Sequence, residues 1–268
     1  MITTPPVWNA SRTGQLALDV LFGAAALATL AYCLRAAYRE RATWPLYVFV
    51  GASLCILYEP FNNVLAHCAY PANQTTELSA LGRHIPLFIG FVYMFYFGIP
   101  VTWLMSRFAA GVTRRQLGTY YAIAVTACGA FEPIFAHQRM WRYYGPNQAL
   151  DFTGMPMFWW FANAMCIFAI AAGLHGLRTH VLDRPRQHAV FALGVPLGLF
   201  AAHGSASIPV FIAMSGGASR TWSTVASLAT IALSLLYMRV IALAVCTDRP
   251  PAAPGRVHTR PERVVEHV

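Results

Sequence analysis

Two glutamates, each followed directly by a proline, lie near the ends of long apolar stretches of this sequence. Glu59-Pro60 closes one such stretch, and Glu132-Pro133 closes another. A charged side chain within a membrane-crossing stretch costs about 2.5–3.5 kcal/mol on insertion scales, and such residues usually mark functional sites. The two glutamates are therefore the first candidates for chemistry.

Two carboxyl groups in an apolar environment are suited to proton transfer. Such an environment disfavours the ionised form, and two neighbouring carboxyl groups resist being charged at the same time. One then donates a proton as a general acid while the other accepts one as a general base. We expect Glu59 to be the acid and Glu132 the base or charge stabiliser. The alternative is that each glutamate pairs with an arginine or asparagine and only holds helices together.

Polar residues elsewhere offer partners for the glutamates. Asn62 and Asn63 fall on the helix face of Glu59 if the helix continues, so they are predicted to orient its carboxyl group or hold a substrate hydroxyl. A helix end among lipid headgroups explains them equally well. His203 interrupts another apolar stretch and is a third catalytic candidate, with an interhelical hydrogen bond as the alternative.

The remaining substrate-binding candidates are polar or aromatic residues expected on the same side of the membrane. They are His67, Tyr93, Tyr96, Trp141, Tyr144, Trp159 and Asn163. The aromatic members fit a cavity wall that stabilises positive charge through ring faces. They also fit the belt of tryptophan and tyrosine found at membrane interfaces.

The composition indicates a multi-pass membrane protein. The 268 residues are 57% hydrophobic and 11% charged, whereas a soluble domain carries about 25% charged residues. Several apolar stretches approach or exceed the roughly 20 residues that cross a bilayer. No polar stretch is long enough for a separate soluble domain. We therefore predict an all-α membrane bundle as one domain over residues 1–268, with polar tails at 1–15 and 247–268.

Hydropathy divides the sequence into seven predicted transmembrane helices. They are Leu16–Tyr38, Trp44–Ala66, Pro86–Ser106, Gly118–His137, Met157–Leu177, His188–Ile212 and Trp222–Cys246. The net charge of +9 comes from arginine, and the arginines concentrate in alternate loops and in the C-terminal tail. The positive-inside rule then places the N-terminus outside and the C-terminus in the cytoplasm. This orientation brings Glu59, Glu132 and His203 into the outer half of the bundle.

The arginines also bear on partners and location. Because they separate apolar stretches, they are read as topology signals, and no nucleic-acid partner is expected. The absence of lysine, together with many alanines, suggests a GC-rich bacterial genome. The predicted location is the bacterial cytoplasmic membrane, with membrane lipid and an apolar small-molecule substrate as partners.

The second and fourth predicted helices resemble a weak internal repeat. Each ends in Glu-Pro and is followed by a histidine, His67 or His137, and then by tyrosine before the loop proline. Repeats in membrane proteins often meet at a shared binding site. Two short matches also arise by chance.

Several classes of site are disfavoured by what the sequence lacks. Without lysine there is no Schiff-base attachment for a retinal-type cofactor, and no nucleotide-binding glycine pattern or HExxH motif occurs. The six cysteines fall singly and mostly within apolar stretches, which is typical of small buried residues. No metal and no cofactor are therefore expected.

The chain resembles the AveC-like spirocyclase family of actinobacterial integral membrane proteins. The resemblance rests on the two Glu-Pro pairs, on Tyr70-Pro71 and on the segment Pro156-Met157-Phe158-Trp159-Trp160-Phe161-Ala162-Asn163, and it covers roughly residues 58–203. It implies acid-assisted closure of a polyketide-like dihydroxyketone to a spiroketal, with loss of water and without a cofactor. Membrane-bound terpene cyclases would use the same side chains.

A protein that binds or moves a small molecule is the alternative from another class. In a transporter or lipid-binding protein the glutamates would relay protons or bind a cation. The inner halves of the second and fourth predicted helices are almost wholly apolar, which favours a pocket open on one side. A haem site built on His67, His137 and His203 is a further alternative.

Overall fold

Long helices dominate the computed structural model, which describes residues 4–145, 148–151, 154–182 and 184–247. The helices are α1 (Arg12–Glu40), α2 (Trp44–Leu54), α3 (Glu59–Leu65), α4 (Leu87–Ala110), α5 (Arg114–His137), α6 (Phe158–His180), α7 (Phe191–Ser215) and α8 (Arg220–Val245). A 3-10 segment, Cys55–Tyr58, joins α2 to α3, and another, Pro185–Val190, leads into α7. Apart from Thr247, the predicted tail at 247–268 lies outside the described residues, as do residues 1–3.

Six helical segments of the described chain are long and apolar enough to cross a membrane. They are Arg12–Glu40, Trp44–Leu65, Leu87–Ala110, Phe158–His180, Pro185–Ser215 and Arg220–Val245. The helical bundle is thereby confirmed, and the composition indicates a multi-pass membrane protein. The fourth predicted span does form a helix, α5, but it is not among the six. Its tyrosines and threonines, with Glu132 and Pro133, dilute its apolar character.

The ends of the helices meet in two groups. At one end, Glu40 accepts hydrogen bonds from Ser106 and Trp44 and forms an ion pair with Arg178, with 3.4 Å between Nη1 and Oε2. At the other end, the Trp8 indole donates to the carbonyl of Arg139. The C-terminal ends of α1, α4 and α6 and the N-terminal end of α2 therefore lie together.

Short strands lie at the second of these ends. They are β1 (Cys68–Ala69), β2 (Thr76–Ala80), β3 (Arg83–Pro86) and β4 (Arg142–Tyr143). The strand β1 pairs antiparallel with β4, and β2 with β3. The pairing of β1 with β4 joins the connection after α3 to the connection after α5. It brings the two chain segments that follow the glutamates side by side.

Helix α6 lies at the centre of the bundle. It packs against α4, α5, α7 and α8. Its buried side chains, including Trp159, Met165 and Leu174, form much of the core. Residues on α6 therefore have access to side chains from most of the other helices.

The two Glu-Pro pairs have different backbone settings. Glu59 begins α3 immediately after the 3-10 segment, with Pro60 in the first turn, where a missing N–H costs nothing. Glu132 and Pro133 lie inside the continuous helix α5. The two copies of the predicted repeat thus differ in local backbone structure at Glu-Pro, although both place a glutamate at the same end of the bundle.

Helices α2 and α7 cross closely at Gly51. A Cβ at this position would lie 2.8 Å from the carbonyl oxygen of Phe191 and 2.8 Å from Cβ of Val195. Small residues permit such close approach of membrane helices. We expect Gly51→Ala to lower the free energy of unfolding by about 1–3 kcal/mol, the usual cost of overpacking. Thermal unfolding of the purified protein in detergent measures it.

Gly173 on α6 provides the matched control for this prediction. A Cβ there meets no atom within 4 Å. Gly173→Ala should leave stability unchanged or raise it by about 0.5–1 kcal/mol, because alanine restricts the unfolded chain and favours helix. An equal rise in unfolding temperature for both variants would contradict the close crossing.

Candidate functional site

Glu59 lies buried between two tyrosines. Its side chain is 5% exposed. The hydroxyl of Tyr70 donates to Oε1 at 2.5 Å, and the hydroxyl of Tyr93, on α4, donates to Oε2. Tyr70 follows β1, so the partners come from two different parts of the chain. Both oxygens of the carboxyl group thus accept a hydrogen bond.

Asn62 and Asn63 are not the groups that orient Glu59, so this prediction is wrong. In the described part of the chain, Oδ1 of Asn62 and both polar side-chain atoms of Asn63 are buried without a hydrogen-bond partner. Tyrosines reach Glu59 from outside its own helix and occupy both of its oxygens. A role of the asparagines in holding a substrate hydroxyl stays a prediction.

Glu132 is connected to His203 through Asn163. The Asn163 amide donates from Nδ2 to Oε1 of Glu132 at 2.9 Å, and its Oδ1 lies 3.0 Å from Nε2 of His203. The other ring nitrogen of His203, Nδ1, lies 2.9 Å from the hydroxyl of Tyr58. Helices α5, α6 and α7 and the 3-10 segment before α3 each contribute one residue to this chain.

The polarity of this chain fixes the proton on His203. Oδ1 of Asn163 only accepts, so Nε2 of His203 must carry the hydrogen. In the neutral ring, which is the Nε2–H tautomer, Nδ1 then accepts from the hydroxyl of Tyr58. The ring is 2% exposed and stacks on Trp159, with centroids 5.0 Å apart and planes at 7°. His203 therefore makes the interhelical hydrogen bonds that were the alternative to catalysis, and it holds Asn163 in place.

The two glutamates belong to one site. Tyr58, at the end of the Glu132 chain, is the residue directly before Glu59. Tyr143 on β4 lies within electrostatic reach of both. Burial raises the pKa of its hydroxyl well above the usual value, and Glu132, Cys68 and Glu59 add to the shift. We call Tyr58, Glu59, Tyr70, Tyr93, Glu132, Asn163 and His203 the glutamate site.

Four predicted binding residues lie elsewhere or beside this site. The hydroxyl of Tyr96 lies 3.1 Å from Sγ of Cys128. Trp141 packs in an aromatic cluster with Phe88 and Phe135. Tyr144 stacks on His67, with centroids 5.4 Å apart, and its hydroxyl accepts from Arg83. His67 and Tyr144 thus form a second polar group.

The sequence-based predictions omitted Tyr58, Tyr70 and Tyr143. Tyr58 directly precedes Glu59, and Tyr70 stands in the Tyr-Pro pair that follows it, so both lay within the motif. Nothing in the spacing indicates which tyrosine reaches which carboxyl group. Tyr143 faces the site because β4 pairs with β1, a contact between distant segments.

Comparison with known proteins does not assign this site to a family. No protein-family model, curated protein or solved structure matches the chain. Among the described residues, no group of three or more histidine, cysteine or acidic side chains is placed to hold a metal ion.

The two carboxyl groups are held differently. Glu59 accepts hydrogen bonds from two hydroxyls, and hydrogen bonds to the charged form stabilise it. Glu132 accepts one, from an amide, and its Oε2 has no hydrogen bond to any described residue. Glu132 is also half-buried, as are Tyr93 and Asn163. The hydrogen bonds therefore favour the anionic form more strongly at Glu59 than at Glu132.

Proposed function

We propose that this protein is a membrane-embedded, cofactor-independent cyclase. Its substrate is an apolar polyketide- or terpenoid-like molecule, and the reaction is spiroketal formation with loss of water. The observation that carries the proposal is the pairing of Glu59 and Glu132 in one site with different hydrogen-bond environments. Two such carboxyl groups supply an acid and a base together.

The geometry favours Glu132 as the acid and Glu59 as the base, the reverse of the assignment expected from the sequence. That assignment relied on Asn62 and Asn63 to hold a proton on Glu59. Instead, Tyr70 and Tyr93 donate to Glu59 and favour its anionic form. Glu132 has the carboxyl oxygen that is open to a substrate.

The reaction uses these groups in sequence. One hydroxyl of the dihydroxyketone adds to the carbonyl to give a hemiketal. Glu132 then protonates the hemiketal hydroxyl, the carbon–oxygen bond breaks and water leaves. The second hydroxyl attacks the resulting oxocarbenium carbon and gives its proton to Glu59, and return of this proton to Glu132 restores the acid and the base for the next turnover. The buried ring of Trp159 and the half-buried ring of Tyr143 limit water at the cation and present their faces to it.

The resemblance to AveC-like spirocyclases is part of this proposal. The segment that carries it, Pro156 to Asn163, contributes Trp159 and Asn163 to the centre of the bundle. Asn163 connects the proposed acid to His203, so the family-like segment lies where the chemistry is proposed. Actinobacterial origin and a role in natural-product biosynthesis follow as expectations of the same proposal.

The site can be tested through the molecule it binds. We expect mass spectrometry of extracts from the purified protein to find an apolar polyketide- or terpenoid-like molecule. A synthetic dihydroxyketone should close faster, and to one stereoisomer, with the protein than without it. A racemic product at the uncatalysed rate would end the cyclase proposal. Uptake of the molecule into proteoliposomes without conversion would favour a transporter.

Orientation is a further part of the proposal. We propose that α5 also crosses the bacterial cytoplasmic membrane, with the N-terminus outside and the C-terminus in the cytoplasm. The glutamate site then opens to the outer half of the bilayer. A reporter fused after Val268 should be active if it requires the cytoplasm and inactive if it requires export. The opposite pattern would refute this orientation.

A further inference from the structure

Arg83 is a buried arginine without an acidic partner among the described residues. It lies on β3 and is 7% exposed. Its Nη2 donates to the hydroxyl of Tyr144 at 2.7 Å, and its Nε is buried without a hydrogen-bond partner among the described residues. In that part of the chain no carboxylate forms an ion pair with it. The ion pair found there joins Arg178 to Glu40.

Such an arrangement is energetically costly. Buried charges are normally paired, because removing a guanidinium from water costs several kcal/mol. The ring of Tyr144, 5.9 Å from the guanidinium carbon, offsets part of this cost. A guanidinium has five N–H donors in one plane and can donate two parallel hydrogen bonds to a single oxyanion. Most of that capacity is unused here by the described residues.

Other polar residues lie around Tyr144, the hydrogen-bond partner of Arg83. Gln148 donates to the carbonyls of Tyr144 and Ala66, and its Oε1 is buried without a partner in the described chain. Strand β3 packs against α3, which carries the buried Asn63. His67 stacks on Tyr144. We call Arg83, Tyr144, His67 and Gln148 the arginine site.

The charge of this site limits the ligand. Burial lowers the pKa of His67, and the nearby charge of Arg83 lowers it further, so His67 is neutral near pH 7. Arg83 is then the one positive charge in the arginine site. A carboxylate or a phosphodiester carries one negative charge and balances it, whereas a phosphate monoester would leave an excess.

The arginine site lies close to the glutamate site. Burial raises the pKa of the Cys68 thiol well above its usual value, Glu59 and Glu132 add to this, and Arg83 acts in the opposite direction. The charges of Glu59, Glu132 and Arg83 therefore all act on the Cys68 side chain. Tyr143, near the glutamates, and Tyr144, on Arg83, are also consecutive residues.

We infer that Arg83 binds a monoanionic oxyanion group on the molecule that enters the glutamate site. The substrate class becomes an apolar chain with a carboxylate, anchored at Arg83 while its reacting carbons lie between Glu59 and Glu132. The location of the reacting carbons rests on the proposed function. The anion site itself does not, because binding is measured without turnover.

Binding of radiolabelled octanoate to the purified protein in dodecyl maltoside tests this inference. Unlabelled octanoate should compete, and octanol, which has the same chain without the charge, should not. Arg83→Gln should weaken binding by about 10- to 100-fold, the range for hydrogen bonds to charged groups. Arg83→Lys should bind with intermediate strength, since it keeps the charge but not the fork. Arg139→Gln, an exposed arginine at the same end, should bind as wild type.

The outcomes separate the possible ligands. Equal binding of octanoate to the wild type and Arg83→Gln, or equal competition by octanol, overturns the site. Binding of short-chain phosphatidylglycerol that depends on Arg83, without binding of octanoate, assigns Arg83 to a lipid headgroup and overturns the substrate class. Should Arg83→Gln fail to fold, the comparison of octanoate with octanol on the wild type and on Arg83→Lys still decides. Binding of octanoate is measured without turnover, so the anion site can hold even if the cyclase proposal fails.

Discussion

Replacing Glu132 by glutamine should lower the rate of cyclisation by about 10²- to 10⁴-fold, the range that general acid–base catalysis contributes. Glutamine keeps the size of the side chain and can still accept the hydrogen bond from Asn163. It cannot deliver a proton to the departing hydroxyl. Glu59→Gln should cause a loss in the same range, because the attacking hydroxyl then has no carboxylate to receive its proton. The rate of appearance of spiroketal measures both.

The double variant distinguishes a pair from two independent residues. Groups that act as one unit are strongly non-additive, so Glu59→Gln/Glu132→Gln should lose far less than the product of the two single effects. Glu77→Gln is the matched control. Glu77 is an exposed glutamate on β2 at the same end of the bundle, and its replacement should leave the rate unchanged. Wild-type rates and stereochemistry in both single variants would show that the glutamates only hold the helices together.

The helices were predictable because their signal is local. Long apolar stretches and the arginines between them indicate where helices begin and end, and α1, α4 and α8 follow the predicted spans within a few residues. The strand pairing of β1 with β4 was not predictable, since each strand has only two residues and its partner lies far along the chain. For the same reason the sequence could not place Tyr143 beside the glutamates.

The sequence indicated several residues of the candidate site, but it did not indicate which side chains contact one another. Burial of a carboxyl group is costly, so Glu59 and Glu132 stand out in an apolar sequence, and so does His203. Their partners depend on tertiary packing. Asn62 has the correct helical spacing to reach Glu59, yet Tyr93 on another helix binds it instead. Spacing along one helix describes neighbours on that helix alone.

Removing the hydroxyls that hold Glu59 should produce a large loss of stability. In Tyr70→Phe/Tyr93→Phe the rings remain, but Glu59, 5% exposed, loses the donors to both of its oxygens. Each hydrogen bond to a charged group is worth about 1.5–3 kcal/mol, and a buried group left unsatisfied adds its desolvation cost. The unfolding temperature in detergent should fall further in the double variant than in either single one. Tyr38→Phe, at a tyrosine that is 86% exposed, should not change it.

A third substitution shows whether the loss arises from the carboxyl group itself. Adding Glu59→Met to the double variant removes the unsatisfied group and leaves three apolar side chains of similar shape. Replacing all partners of a buried polar contact by apolar groups can be nearly neutral, so the triple variant should regain most of the lost stability. Glu59→Met alone should be less stable than the triple, because it leaves the hydroxyls of Tyr70 and Tyr93 without their acceptor. If the triple variant is instead no more stable than the double, the unsatisfied carboxyl group is not the source of the loss, and the two hydroxyls do not hold a buried carboxylate.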